Sequence, residues 1–125
     1  MQENQISQVV LDSAIQIHKA LGPGLLESVY EATLAYELTK RGLKVITQQG
    51  LPVIYEKVKL DLGFRIDLIA QDKVIVEIKS VETLAPVHRK QVLTYLRLAN
   101  MKLGLLINFN VEKVVDGYHR IVNNL

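Results

Sequence analysis

The segment Val74-Ile75-Val76-Glu77-Ile78-Lys79 is an apolar run interrupted by two charged residues. Its β-branched composition is typical of a β-strand. Side chains alternate between the two faces of a strand, so Glu77 and Lys79 point to the same face. Charged residues in a strand that is otherwise suited to burial indicate a polar site.

The preceding predicted strand, Phe64 to Ala70, contains a third charged residue of interest, Asp67. If the hairpin between the two strands closes through three loop residues, Gln71-Asp72-Lys73, Asp67 lies directly opposite Glu77, with Cβ atoms about 4.5 to 5.5 Å apart. A two-residue loop would instead pair Asp67 with Val76 and turn it away from Glu77. Alternation predicts one face with Arg65, Asp67 and Ile69 and an opposite, apolar face with Phe64, Ile66 and Leu68.

Two acids facing each other in a sheet are unfavourable unless something compensates their charge. A divalent cation would do so, because Mg²⁺ binds one or two carboxylates together with waters and phosphate oxygens. Lys79 would then hold an attacking water or neutralise charge on a scissile phosphate. The alternative is a surface salt-bridge cluster of Arg65, Asp67, Glu77 and Lys79. The pattern alone leaves both interpretations open.

The rest of the chain predicts helices around a central sheet. Apolar spacing favours helices from Ile6 to Leu21 and from about Leu25 to Lys40, and Pro86 suits the first turn of a third helix that runs to about Asn100, with Thr83 as a cap. Strands are predicted as an antiparallel meander followed by one buried strand, and the tail from Val111 to Val122 is ambiguous between strand and helix. The strands outside the two already described are Lys44 to Gln48, Leu51 to Tyr55, Val58 to Leu60 and Leu103 to Asn108. This is an α+β or layered α/β arrangement, with a central sheet of about four to five strands flanked by helices.

Length and composition predict one domain over residues 1–125. Apolar residues make up 49% of the 125 residues, which is ample for a packed core. The absence of cysteine excludes disulfides and thiolate metal sites, so a metal would need oxygen or imidazole ligands. No apolar run reaches the length of a membrane span and the polar start lacks a secretory signal, so we expect a cytoplasmic protein without membrane contact. The net charge of +2 is too small to identify a nucleic-acid binder.

The spacing of polar and aromatic residues on two predicted helices adds further candidate site residues. Glu27 and Tyr30 lie three apart on the second helix, and His88, Gln91 and Tyr95 form one stripe on the third. These residues also have ordinary explanations. Glu27 would be a helix N-terminal acid, Tyr30 and Tyr95 would be core aromatics, and His88 would be a polar residue of a first turn.

In chain order, Glu27, Asp67, the run Glu77-Ile78-Lys79 and the run Gln91 to Tyr95 resemble the motif series of the PD-(D/E)XK nuclease superfamily, particularly its RecB-like branch. The chain is also similar to the GxxExxY proteins, through Gly24 to Tyr30, Gly63 to Asp67 and Gly104 to Phe109. Ile66 stands where the superfamily name has proline.

The resemblance implies a nuclease-like core and assigns roles. Asp67, Glu77 and the Ile78 backbone carbonyl would bind Mg²⁺ or Mn²⁺, and Glu27 would complete the acidic site. Lys79 would assist water activation, and Gln91 would orient the lysine, the water or the phosphate. Tyr30, His88 and Tyr95 would contact substrate or support the site.

Two functions follow. The first is a metal-dependent nuclease that hydrolyses phosphodiester bonds, of DNA in preference to RNA, by activated water. The second is a catalytically inactive module of the same fold that binds nucleic acid or a protein partner. The chain has no room for a separate recognition domain, so a homodimer, a protein partner or nucleic-acid shape would supply specificity.

Overall fold

A computed structural model of the protein describes residues 1–61 and 63–125. Within these residues there are three α-helices, one short 3₁₀ turn and seven strands. The helices are α1 (Glu3–Leu21), α2 (Glu27–Lys40) and α3 (Pro86–Ala99), and the 3₁₀ turn covers Val114–Gly117. The strands are β1 (Val45–Gly50), β2 (Val53–Tyr55), β3 (Val58–Leu60), β4 (Arg65–Ala70), β5 (Val74–Lys79), β6 (Leu103–Asn108) and β7 (Tyr118–Val122).

The central sheet is mixed and, in the described part of the chain, has five strands in the order β1-β4-β5-β6-β7. Only β5 and β6 are parallel, and α3 forms the crossover between them. The predicted layered α+β fold with a sheet of four to five strands is confirmed. Because β5 and β6 run in the same direction, their carboxyl ends lie at the same end of the sheet, beside the start of β4.

The predicted antiparallel meander is wrong in one respect. Strands β2 and β3 pair only with each other as a separate hairpin, and β1 pairs directly with β4. Pro52 follows the end of β1, and proline lacks the N–H that a sheet ladder needs. The hairpin also lacks an inward face, since Ile54 and Tyr55 are both about two-thirds exposed. It therefore projects from the sheet end instead of extending the sheet.

Helices cover both faces of the sheet. Helices α1 and α2 pack on one face over Leu68 and Ala70 of β4 and over the even-numbered residues of β5, including Val76. Helix α3 packs on the other face over Ile69 and Ile75. Ile66 belongs to the α3 side, so the predicted alternation is wrong at this residue. The irregularity coincides with Gln48, which faces this part of β4 between two regular pairs and has a left-handed φ of 52°.

Strand β6 is buried along its whole length, and Gly104 permits close approach of α3. A Cβ atom at Gly104 would lie 2.5 Å from Cγ1 of Val92 on α3. Val92 is buried and its branched side chain has little rotamer freedom in a helix. Glycine at this position therefore sets the distance between α3 and the sheet.

The ends of several elements differ from the predicted ones. Helix α1 begins at Glu3, three residues early, and α2 begins at Glu27, two residues late. The residue before α3 is Ala85, so Thr83 is not its cap. The ambiguous tail contains both the 3₁₀ turn and strand β7.

Within the described residues, no helix combines the length and the apolar character needed to cross a membrane. The cytoplasmic location stays a prediction.

Candidate active site

Asp67 and Glu77 come together where β4 and β5 part. The strands pair at Leu68–Val76 and at Ala70–Val74, and the turn between them consists of residues 71–73. The three-residue closure is therefore confirmed and the two-residue register is excluded. Continued by one residue, this register places Asp67 opposite Glu77.

Each of the two carboxyl groups accepts a hydrogen bond from a backbone N–H of the other strand. The Asp67 N–H donates to Glu77 Oε1 at 3.1 Å, and the Ile78 N–H donates to Asp67 Oδ2 at 2.9 Å. The two side chains thus occupy the positions where regular ladder bonds would continue. In a strand, the N–H and C=O of one residue point to the same side, so the Ile78 carbonyl is also directed toward β4.

Glu77 has the most perturbed carboxyl group of the site. It is only 5% exposed, and burial raises its pKa to about 9, with the nearby Asp67 carboxylate adding to the increase. Hydrogen bonding from the Asp67 backbone and the charge of Lys79 oppose the increase in this pKa without cancelling it. Glu77 is therefore protonated at neutral pH in the metal-free protein.

Two further polar residues, Glu31 and Gln48, belong to this site and were missed in the sequence. Nε2 of Gln48 lies 2.7 Å from Oε1 of Glu31 and 3.4 Å from Oδ1 of Asp67. Burial and then the Asp67 carboxylate raise the pKa of Glu31. Glu31 lies one helical turn after Glu27, so the i, i+4 spacing could have identified it.

Glu27, the first residue of α2, points to the end of β5. Its Oε1 accepts a hydrogen bond from the Ser80 N–H at 3.3 Å. Among residues 1–61 and 63–125, no three histidine or acidic side chains lie close enough together to hold a metal ion. The predicted acidic trio of Glu27, Asp67 and Glu77 is therefore not gathered as a set, and Glu31 is the helical acid adjacent to Asp67.

Tyr30 is a buried residue that supports the fold. It is fully buried, and its ring stacks on Phe109 with centroids 4.4 Å apart. Its hydroxyl donates to the Gly22 carbonyl at 2.5 Å and accepts from the Leu25 N–H. It therefore fixes the loop that leads into α2, and only the supporting part of its predicted role fits this burial.

The three residues of the predicted α3 stripe lie in different surroundings. Tyr95 lies near the acids and His88 lies at the helix start. Tyr95 is 5% exposed, and burial raises its pKa, as do the neighbouring Glu77 and Asp67 carboxyl groups. Nδ1 of His88 accepts a hydrogen bond from the Ala85 N–H at 3.1 Å, so His88 caps α3. Gln91 lies one turn before Tyr95 and is half-buried.

The alternative of a salt-bridge cluster lacks its ion pairs. In the described part of the chain, the ion pairs within 4.0 Å join Glu37 to Lys40 and Arg41, and Lys44 to Asp72. Arg65 instead donates to the Gln48 backbone carbonyl at 3.2 Å. The carboxyl pair is thus balanced by backbone donors, by protonation of Glu77 and by the nearby charge of Lys79.

A mixed sheet with a carboxyl pair where two central strands part, followed by Lys79 on the same strand, defines an α+β protein of the nuclease type. The model of the PD-(D/E)XK nuclease superfamily matches residues 4–121, and the chain belongs to that superfamily. No curated protein and no solved structure matches the chain significantly. The similarity to the GxxExxY proteins stays a resemblance.

Nucleases of this superfamily typically use divalent metals. The donors gathered here suit such an ion, because Mg²⁺ and Mn²⁺ prefer carboxylate and carbonyl oxygens. The buried Glu77 lies beside the half-buried Asp67, and the Glu77 group is kept neutral by its surroundings. A cation at this position would favour the ionised form of Glu77, against the burial and the Asp67 carboxylate that raise its pKa.

Proposed function

We propose that the protein is a nuclease that hydrolyses phosphodiester bonds with Mg²⁺ or Mn²⁺, and that DNA is its substrate in preference to RNA. The observation that carries this proposal is the pair of buried Glu77 and half-buried Asp67, each accepting a hydrogen bond from the opposite strand's backbone, in a chain of the PD-(D/E)XK superfamily. A neutral buried glutamic acid beside an aspartate is costly in a purely structural role, which favours a functional one.

Asp67, Glu77 and the Ile78 carbonyl would hold the metal, with Glu31 or Glu27 as a further acidic group. When bound, the ion supplies Lewis-acid stabilisation of phosphate charge and lowers the pKa of water. Glu77 would release its proton on binding, because only the carboxylate is a ligand.

The remaining polar residues would act on the substrate directly. Lys79 ends β5 close enough to Glu77 to oppose the rise of its pKa. From there its ammonium group would hold the attacking water or neutralise charge that develops on the phosphate. Gln91 is a half-buried residue of α3 and would orient this lysine or the phosphate. Tyr95 would contact the substrate backbone or support Gln91.

The second candidate is a catalytically inactive module that binds nucleic acid or a protein partner. One observation favours it: both carboxyl groups already have backbone donors, so the pair is satisfied without a metal. In either case, sequence or structure specificity would come from a homodimer, a protein partner or nucleic-acid shape.

A cleavage assay on purified protein tests the proposal. Labelled single-stranded, duplex and branched DNA, and RNA of matched sequence, would be incubated with Mg²⁺, Mn²⁺ or chelator. We expect metal-dependent cleavage that is abolished in Asp67→Asn, Glu77→Gln and Lys79→Ala, with binding less affected than cleavage. Asp72→Asn is the matched control, since Asp72 is an exposed acid in the adjacent turn that pairs with Lys44.

Full activity in Asp67→Asn would show that the cleavage belongs to a contaminant or to another site. Binding of nucleic acid by the wild type without cleavage in either metal would favour the inactive module.

A further inference from the structure

An open groove of about 450 Å³ lies beyond the acid pair, at the same end of the sheet. Its walls are the end of β1 with Gly50 and Leu51, the start of β4 with Phe64 and Arg65, and Lys59 from the β2–β3 hairpin. Arg65 precedes Asp67 by two residues on β4, so this wall of the groove lies about 7 Å along the strand from the acid pair. Its volume is within the range of sites that bind small organic groups.

The groove presents an aromatic ring that is fixed relative to the acids. Phe64 is 38% exposed, and its ring packs edge-on against Tyr95 with centroids 5.8 Å apart at 70°. Tyr95 in turn lies near Glu77 and Asp67. The Leu51 N–H donates to the Phe64 carbonyl at 3.0 Å, which holds the backbone of both walls together. A flat ligand on this ring would therefore have a defined position relative to the carboxyl pair.

The groove also carries basic side chains. Exposed Lys59 and Arg65 outnumber Asp61, the single acid among its described lining residues. The Arg65 guanidinium is positioned by its hydrogen bond to the backbone carbonyl of Gln48 on β1. A fixed aromatic ring flanked by cations suits a ligand with a flat apolar group and negative charges, which is the chemistry of a nucleotide.

We propose that this groove binds an unpaired nucleotide next to the scissile phosphate, with its base stacked on Phe64 and its phosphates against Arg65 and Lys59. This inference rests on the proposed nuclease function and deepens it. A base inside a duplex is stacked between its neighbours and has no free face for Phe64, so the substrate would carry a single-stranded segment beside the cleavage point. A strand end, a flap or a gap has this property.

Binding of fluorescently labelled oligonucleotides in chelator, measured by anisotropy, tests the groove without cleavage. The probes are single-stranded DNA, RNA of the same sequence, a duplex with an overhang and a blunt duplex. We expect Phe64→Leu to weaken binding of the single strands and of the overhang duplex by at least about fivefold, because base stacking on an aromatic side chain has this magnitude. Binding of the blunt duplex would not change.

Two variants separate stacking from packing. Phe64→Tyr keeps a ring and should bind like wild type, whereas Tyr36→Leu removes a more exposed aromatic residue from α2, outside the groove, and should have no effect. Arg65→Gln and Lys59→Gln should each reduce the slope of log affinity against log salt by about 0.7 for single strands. Thermal melts establish that each variant is folded.

Unchanged binding of single strands by folded Phe64→Leu would overturn the inference, as would an equal loss for the blunt duplex. Cleavage by the wild type with unchanged binding in Phe64→Leu would refute the groove and leave the nuclease standing. Phe64-dependent binding in a protein that never cleaves would refute the nuclease and leave the groove standing.

Discussion

At the scale of single residues, Glu77 has properties that depend almost entirely on its surroundings. Strand β5 is buried from Val74 to Ile78, so this carboxyl group loses most of its hydration on folding. The same group in the unfolded chain is exposed and has its ordinary pKa of 4.5. The difference between the two states gives the stability of the protein a dependence on pH.

Stability of the metal-free protein should fall as pH rises between 4.5 and about 9, the unfolded and folded pKa values of Glu77. In this window the folded state keeps a proton that the unfolded state has lost, which gives a slope of about −1.4 kcal/mol per pH unit. Below pH 4.5 Glu77 is protonated in both states, so this slope is zero and the stabilisation is fully present. Glu77→Gln should lack this slope. Denaturant unfolding of both proteins in chelator, from pH 5 to 9, would measure it, and parallel curves would contradict the expectation.

Gln48 combines a strained backbone with a hydrogen bond to a site acid. A non-glycine residue with left-handed φ costs roughly 1 to 2 kcal/mol, and the Gln48 amide donates to Glu31 and faces Asp67. We expect Gln48→Gly to retain or increase stability while lowering metal-dependent cleavage about 10- to 100-fold, the usual effect of losing a group that orients metal ligands.

The control variant is Gln8→Leu. Leucine is used there because Gln8 lies inside α1, where glycine would itself destabilise the helix. Gln8 also donates to an acid, Asp12, on the surface of α1. Undiminished cleavage by Gln48→Gly would exclude a positioning role for the amide.

The sequence was sufficient to predict the central acid pair but not the whole site. Strand alternation and a three-residue turn determine that Asp67 meets Glu77, and both are local properties. The approach of Glu31 depends on how α2 packs on the sheet, and that of Gln48 depends on a left-handed backbone at a residue type that rarely adopts one. Periodicity places Glu31 on the same face of α2 as Glu27, but it determines neither how closely that face approaches Asp67 nor the backbone conformation of Gln48.

At the scale of elements, the helices and the long strands were predictable because each has a continuous apolar pattern. The short strands β2 and β3 were also found, but their partners were not. Pairing is decided by burial, and the exposed faces of this hairpin leave nothing to pack against the central sheet. The resulting separation is what opens the groove beside Phe64.

Helix α3 should be displaced by the substitution Gly104→Ala. The added Cβ would clash with the Val92 side chain, and overpacking of this kind typically costs about 1 to 3 kcal/mol. Because α3 carries Gln91 and Tyr95, we also expect cleavage to fall more than the loss of folded protein explains. Gly50→Ala is the matched control for stability, since a Cβ there meets open space. Equal melting temperatures of Gly104→Ala and wild type would contradict this expectation.

At the scale of the whole molecule, the proposed metal should stabilise the fold. Binding to the folded state alone contributes RT ln(1 + [L]/Kd), about 1.4 kcal/mol at ten times Kd, or roughly 3 to 7 °C in melting temperature. The shift should be larger at pH 8.5 than at pH 6.5, because Glu77 must release its proton before it can bind a cation. Asp67→Asn should show no shift.

Calorimetric titration with Mg²⁺ or Mn²⁺ in buffers of different ionisation enthalpy would count the protons released. Release of close to one proton near pH 7 is expected for wild type and none for Glu77→Gln. An equal thermal shift in wild type and Asp67→Asn would place the cation elsewhere on the protein.

The left-handed residue in β1 also bears on edge-to-edge pairing of the central sheet with other copies of the chain. Strand β1 is an edge of the central sheet, and a straight, exposed edge is a template for aggregation. The irregularity at Gln48 disturbs the row of backbone donors and acceptors halfway along this edge. The distortion that brings an amide to the acids therefore also makes β1 a poor partner for a second sheet. A variant that straightens β1 would be at risk of fibril formation as well as of losing its site.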